Sequence, residues 1–206
     1  TVHSELLRRP GKLYVLASHF HPDHFNKEVL QWREQRPDII YIFSKDILRH
    51  RRAQKEDAVW LKKGEEYKDE TLSVRAFGST DVGVSFLLQT GGKKIFHAGD
   101  LNNWHWMDES TEAEWKGAEK NFLHELDDLY AYTPEVDVAM FPVDPRLGKE
   151  YMRGAGQFVT KIKTHIFVPM HFTPEYAKAN AFRDFAEAHG VRFVSLTHRG
   201  QKIEIE

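Results

Sequence analysis

The chain has 206 residues, 41% hydrophobic and 29% charged, with a formal net charge of −2. This composition fits an ordinary soluble protein with one sizeable core, so residues 1–206 are read as a single domain. No apolar run approaches the roughly 18 residues of a membrane span. The charge gives no general reason to expect nucleic acid as a partner, and the absence of cysteine excludes disulfides and thiolate metal ligands.

Residues 13–17 (LYVLA) are expected to form a strand buried on both faces. A helix is expected over 25–35, stopped by Pro37, and a second strand over 38–43. With a helical pattern over 45–54, this order predicts a parallel βαβ unit. Residues 49–55 (RHRRAQK) are the one basic cluster and read as a solvated helix end, with a local anion site as the alternative. Strand patterns follow at 71–77, 82–89 and 93–97. Gly91-Gly92 signals a hairpin between the last two, so this middle part is expected to be antiparallel. Thr111 and Glu114 form a capping box. Behind it Trp115, Ala118, Phe122, Leu126 and Leu129 recur at helical spacing. Strands are expected at 136–141 and 166–170, with a helix over 156–164 between them. Thr173-Pro174 starts a last helix that Gly190 ends, and strands at 191–196 and 202–205 close the chain. The expected architecture is mixed sheets with helices packed outside.

The chemistry concentrates in SHFHPDHF, residues 18–25, which spells His19-x-His21-x-Asp23-His24. In extended chain, residues two apart share a face, so His19 and His21 point the same way. Pro22 then turns the chain and presents Asp23 and His24 from another direction. Imidazole and carboxylate are good donors for Zn²⁺ and similar ions. Buried and unpaired, these groups would be costly. Two ligand pairs with different headings suit two adjacent metal positions.

This motif resembles the signature of the metallo-β-lactamase superfamily. Three further stretches agree in order: KKIFHAGD ending in Gly99-Asp100, VAMFPVD with its Pro142 exit, and IFVPMHF carrying His171. The likeness covers most of residues 13–206 and is greatest to the branch with ascorbate-phosphate lactonases and related hydrolases. It implies an αββα sandwich of two mixed β-sheets flanked by helices. It also implies that His19 and His21 hold one metal, that Asp23, His24 and His171 hold another, and that Asp100 bridges them. Zn²⁺ is the expected ion, with Mn²⁺ or Fe²⁺ as alternatives, as one ion or two.

Two features depart from the family pattern. Its usual additional histidine before the bridging aspartate is replaced here by FGSTDVGVSF, where Thr80 or Asp81 stands. Asp81 is the candidate substitute ligand; His50 also falls in the interval but lies in the basic cluster. The first metal position is therefore expected to be the weaker, with a single ion held tightly in the second. Only 18 residues precede His19, so either the first sheet is cut short at the N-terminus or the chain is a piece of a longer protein.

A bound divalent ion acidifies water toward neutral pH, and the resulting nucleophile attacks a carbonyl or phosphoryl centre. Asp23 is the expected catalytic residue, orienting the nucleophile and carrying a proton. Candidates for substrate contact or ligand support are His97, Trp104, His105 and Asp144; Trp106 and Arg146 stand beside them. The expected activity is hydrolysis of a small ester, lactone or phosphoester. The alternatives are a nuclease or phosphodiesterase, or a non-catalytic member with an impaired metal site. A small-molecule substrate, no membrane or nucleic-acid partner and a cytoplasmic location are expected, the last because a cysteine-free chain suits a reducing compartment.

Overall fold

Strand β1 (Tyr14–Ala17) pairs in parallel with β2 (Ile40–Ser44), with Tyr14 opposite Ile40 and Ala17 opposite Phe43. This is the βαβ unit that the alternating pattern predicts. The computed structural model describes residues 3–205. Before β1 lies a short helix, α1 (His3–Leu7). The crossover is shorter than a 25–35 helix: α2 (Glu28–Gln31) continues into a 3-10 turn at Trp32–Glu34. Phe25 belongs to a turn instead, because its N–H bonds back to the His21 carbonyl at 2.8 Å. After β2 comes α3 (Lys45–Arg49), which stops well before residue 54 because Arg51 turns to a φ of 55°.

Strand β3 (Val59–Leu61) completes a three-stranded sheet in the order β1-β2-β3. It is parallel throughout rather than mixed, since each strand is reached by a crossover. β1 is an edge strand, so Tyr14, Val15 and Leu16 are only half-buried, not enclosed on both faces as the apolar run suggests.

The second sheet has seven strands: β4 (Glu66–Lys68), β5 (Ser73–Phe77), β6 (Ser85–Thr90), β7 (Lys93–His97), β8 (Glu135–Pro142), β9 (Lys163–Met170) and β10 (Arg192–Phe193). Their order is β10-β9-β8-β7-β6-β5-β4. The β4 to β7 half is antiparallel, with Gly91 and Gly92 at positive φ in the predicted hairpin; β7 to β10 run parallel. β3 and β4, three residues each, are too short for alternation to reveal them.

Helices cover the outside. α4 (Glu112–Tyr132) starts at the predicted box, with the Thr111 N–H on Glu114 Oε2 at 2.8 Å. α5 (Arg153–Lys161) begins before residue 156 and ends where β9 takes over. The helix expected from Pro174 to Gly190 is two, α6 (Tyr176–Asn180) and α7 (Arg183–Ala188). The break lets Phe182 enter the core, where it is fully buried. The final strands shrink to β10, and residues 202–205 form none.

Three apolar layers hold this together. Ile42 and Leu61 of the small sheet meet Val74, Ala76 and Phe86 of the large one. Phe122, Leu126 and Leu129 of α4 join Phe158 and Phe182 over the large sheet's outer face. Phe25 and Ile47 back the small sheet at Tyr41 and Phe43. The layers run helix, sheet, sheet, helix. Among the described residues no helix is long and apolar enough to cross a membrane.

Candidate metal centre

The carboxyl ends of one small-sheet strand and three neighbouring large-sheet strands meet at one rim. β1 leads into His19, β7 into Asp100, β8 into Asp144 and β9 into His171. Since β7, β8 and β9 are parallel neighbours, their last residues are delivered side by side. Rims of this kind are where α/β sheets place their sites.

The motif loop closes on itself. The His21 carbonyl accepts from the His24 N–H at 3.0 Å as well as from Phe25, and this turn brings Asp23 and His24 back toward the rim. Ser18 ties the loop to the large sheet, its carbonyl accepting from the Val84 N–H at 3.0 Å. Gly83 and Gly99 permit that approach. A Cβ on Gly83 would lie 2.1 Å from the Ser18 carbonyl oxygen, and one on Gly99 would lie 2.8 Å from the Val84 carbonyl oxygen. Both have positive φ, 76° and 56°.

Two triads result. His19, His21 and Asp100 form one; Asp23, His24 and His171 form the other, and within each the candidate donor atoms lie within 4.8 Å of one another. Asp100 stands between them. Its Oδ2 is 3.2 Å from His19 Nε2, while its Oδ1 is 3.1 Å from His24 Nε2 and 3.4 Å from His171 Nε2. Asp23 Oδ2 lies 3.5 Å from His24 Nε2. His19 is fully buried and Asp100 nearly so, whereas Asp23 is exposed at the mouth.

These contacts are close without being aligned. His19 Nε2 and Asp100 Oδ1 are buried and make no hydrogen bond. Orphaned donors and acceptors are costly in an interior. Imidazole nitrogens and carboxylate oxygens that crowd together without bonding fit a shared divalent cation.

Supporting contacts set the imidazoles. Ser18 Oγ lies 3.1 Å from His19 Nδ1 and 3.4 Å from His24 Nδ1, so one hydroxyl oxygen can accept from both rings. His171 Nδ1 lies 2.9 Å from Asp144 Oδ2, leaving Nε2 for Asp100. Arg146 in turn donates from Nε and Nη2 to Asp144, at 3.0 and 2.5 Å. Such a carboxylate fixes the tautomer and raises ligand basicity. His171 itself has a φ of 65°, a strained value for a residue with a side chain.

Electrostatics follow from this crowding. Burial would raise the Asp100 carboxyl, but contacts from His171, His19 and His24 hold it far below the usual carboxylate range. Burial likewise opposes the charge on Asp144, yet His171 and Arg146 bring it down to about 2. Burial disfavours the His171 cation, but Asp100 and Asp144 outweigh it and raise the imidazole to about 9. His97 is pushed down to about 4 by burial and by the nearby His24, and so is neutral at physiological pH.

Two expected results follow. His171 rises from 6.5 to about 9, so its charge stabilises the metal-free protein fully below pH 6.5, and this contribution is lost as pH climbs through about 9. A metal ligand must be deprotonated. If His171 is a ligand, binding of a divalent ion near neutral pH should therefore release a proton, and affinity should rise with pH until about 9. Calorimetric titration in buffers of different ionisation enthalpy measures both effects. Separately, Asp144→Asn should weaken metal binding about 10- to 100-fold, the usual cost of losing a partner behind a ligating histidine. Competition with a chelator reads that change, and unaltered affinity would remove Asp144 from the account.

Other predicted residues fall into place unevenly. Trp104 donates its indole N–H to the Asp100 carbonyl at 2.8 Å and sets its ring 5.5 Å from that of His171, with Trp106 stacked behind it. His97 lines the cavity beside His24 and His171. His105 is not available to substrate: it is buried, Nε2 faces the Glu150 carbonyl and Nδ1 accepts from the Met107 N–H. Asp81 is exposed and belongs to neither triad. Thr80 is tied to the loop backbone, bonding with Asn102 N–H and carbonyl. His50 stacks on Phe20 with ring centroids 3.7 Å apart and belongs to neither triad. Ser18 was not singled out by the sequence; its only signal is a small polar residue just before the first histidine.

A metal-binding fold with candidate histidine and aspartate ligand groups is the class that this architecture defines. The family model described as the beta-lactamase superfamily domain matches residues 5–172, and the chain belongs to that family. Among solved structures, it is similar to Igni18, a metallo hydrolase from the hyperthermophilic archaeon Ignicoccus hospitalis. The TM-score is 0.64 and the identity 16%, over 95% of this chain and 81% of that one. It is also similar to CmlA, a diiron β-hydroxylase from Streptomyces venezuelae, with TM-score 0.59 and 15% identity over 91% and 44% of the two chains. Zn²⁺-bound PqqB from Methylobacterium extorquens gives 0.52 and 15% over 90% and 73%. At these identities the likeness shows the fold. No curated protein matches the chain significantly in sequence.

Proposed function

We propose that this chain is a zinc-dependent hydrolase of a small ester, lactone or phosphoester, folded as a single domain. The observation that carries this reading is Asp100, which turns one carboxylate oxygen to each triad. His19 and His21 would hold one ion, and Asp23, His24 and His171 the other, with Asp100 shared. When bound, such ions supply Lewis acidity and lower the pKa of water toward neutrality. The chain's residues supply the rest. Asp23, exposed at the mouth, accepts and passes on a proton. Asp144 and Ser18 hold the imidazoles in register. Trp104 walls the site beside His171.

The second triad gains Asp100 as a fourth ligand, whereas the first has only three including it, so the second position is the tighter. Metal analysis of the purified chain tests this, followed by a screen of ester, lactone, phosphomonoester, phosphodiester and β-lactam substrates. Zinc in excess of other metals, one ion outlasting the other on dialysis, and turnover lost in Asp23→Ala and His171→Ala are expected. Iron as the bound metal, with none of these substrates hydrolysed, would redirect the reading to oxidative chemistry. Absence of turnover with every metal and intact folding would favour a non-catalytic binding role.

A further inference from the structure

Beside the triads lies a cavity of about 560 Å³, with Asp23, His24 and His171 in its lining. That volume suits a small organic ligand. Its walls include Met170, Phe172 and Leu196, together with two guanidinium groups, Arg146 and Arg199. Among the described residues Asp23 is the one carboxylate lining it, and Asp23 belongs to a triad.

The two arginines differ in what already engages them. Arg146 spends Nε and Nη2 on Asp144, and Nη2 also reaches His171 Nδ1 at 3.3 Å; Nη1 has no partner among the described residues. Arg199 is exposed and has neither a hydrogen bond nor an ion pair among them, in a chain with 31 acidic side chains. Asp144 balances the charge of Arg146, so Arg199 is the surplus cation of this wall. A guanidinium is always charged and its planar fork matches oxyanions.

We propose that the cavity takes an oxyanion-bearing substrate: a phosphate or carboxylate group sits against Arg199 and Arg146 Nη1 while the scissile bond reaches the triads. The scissile-bond half of this rests on the hydrolase reading above; the oxyanion site does not. The apolar walls then accommodate a short carbon body between the two ends.

Titration calorimetry of the metal-loaded chain with inorganic phosphate and with succinate tests the site without catalysis and separates the two oxyanions. At equal metal content, Arg199→Gln should weaken binding of at least one of them about tenfold, and Arg199→Glu should weaken it further. Arg199→Lys should recover part of the loss. Equal affinities in wild type and Arg199→Gln for both anions would overturn the proposal. Turnover supplies a second arm, using two esters of one leaving group, one neutral and one with an acidic arm. The ratio of kcat/KM, acidic over neutral, should fall about tenfold in Arg199→Gln; an equal fall for both esters counts against the site. Should neither ester turn over while anion affinity still depends on Arg199, the hydrolase reading fails and the oxyanion site stands.

Discussion

Replacing Asp100 with asparagine is expected to lower bound metal to one ion or fewer and cut kcat/KM about a thousandfold or more. That corresponds to roughly 4 kcal/mol, within the several kcal/mol that metal assistance supplies. The substitution keeps the shape of the side chain. It puts an NH₂ donor where one carboxylate oxygen stood, so one triad faces a group with no lone pair for a cation. Either choice harms a triad, because Oδ2 serves His19 and Oδ1 serves both His24 and His171. Metal analysis alongside steady-state kinetics measures the effect, and a denaturation curve shows that the variant is folded. Two ions retained with near-normal turnover would remove Asp100 from the bridging position and the proposed mechanism with it.

A second large effect is expected at a residue that offers no ligand atom itself. Gly83→Ala would place a Cβ 2.1 Å from the Ser18 carbonyl oxygen and 2.5 Å from His19 Cβ, with φ at 76°. Those neighbours are backbone and Cβ atoms, which cannot swing aside as a flexible side chain would. Overpacking and left-handed strain together should cost about 3–5 kcal/mol. The denaturant midpoint reads this directly. Because His19 must shift to admit the methyl group, metal affinity should fall in the same variant. A wild-type midpoint would show that the loop yields more easily than its contacts suggest.

The histidine-rich motif was legible because its chemistry is local. His19, His21, Asp23 and His24 lie within six residues, and Pro22 between them announces the turn that the backbone makes. Asp100 and His171 became candidates only through resemblance, since no spacing rule connects them to residue 19. Asp144 was singled out at a strand exit, but its contact with His171 depends on the β8–β9 register, in which Pro142 opposes Met170. His105 misled in the other direction: a histidine between two tryptophans beside Asp100 reads as a substrate contact, yet backbone groups engage both its nitrogens. Asp81 had the right chemistry for a substitute ligand but an exposed position outside both triads. Arg199, in the C-terminal turn, carries no sequence signal at all.

By itself the sequence determined the layer type and the kind of donor, because hydrophobic periodicity and side-chain chemistry are properties of neighbouring residues. Apolar runs alternating with helical patterns dictated sheets backed by helices, and a cysteine-free chain with clustered imidazoles limited the candidate metal donors to nitrogen and oxygen. Only the tertiary structure decided which distant groups share a rim. That depends on the parallel neighbours β7, β8 and β9 ending together, on glycines that let the motif loop touch the large sheet, and on Asp100 turning one oxygen each way. Contact between residues as far apart in the chain as His19, Asp100 and His171 is set by packing of whole layers, and no local pattern encodes it.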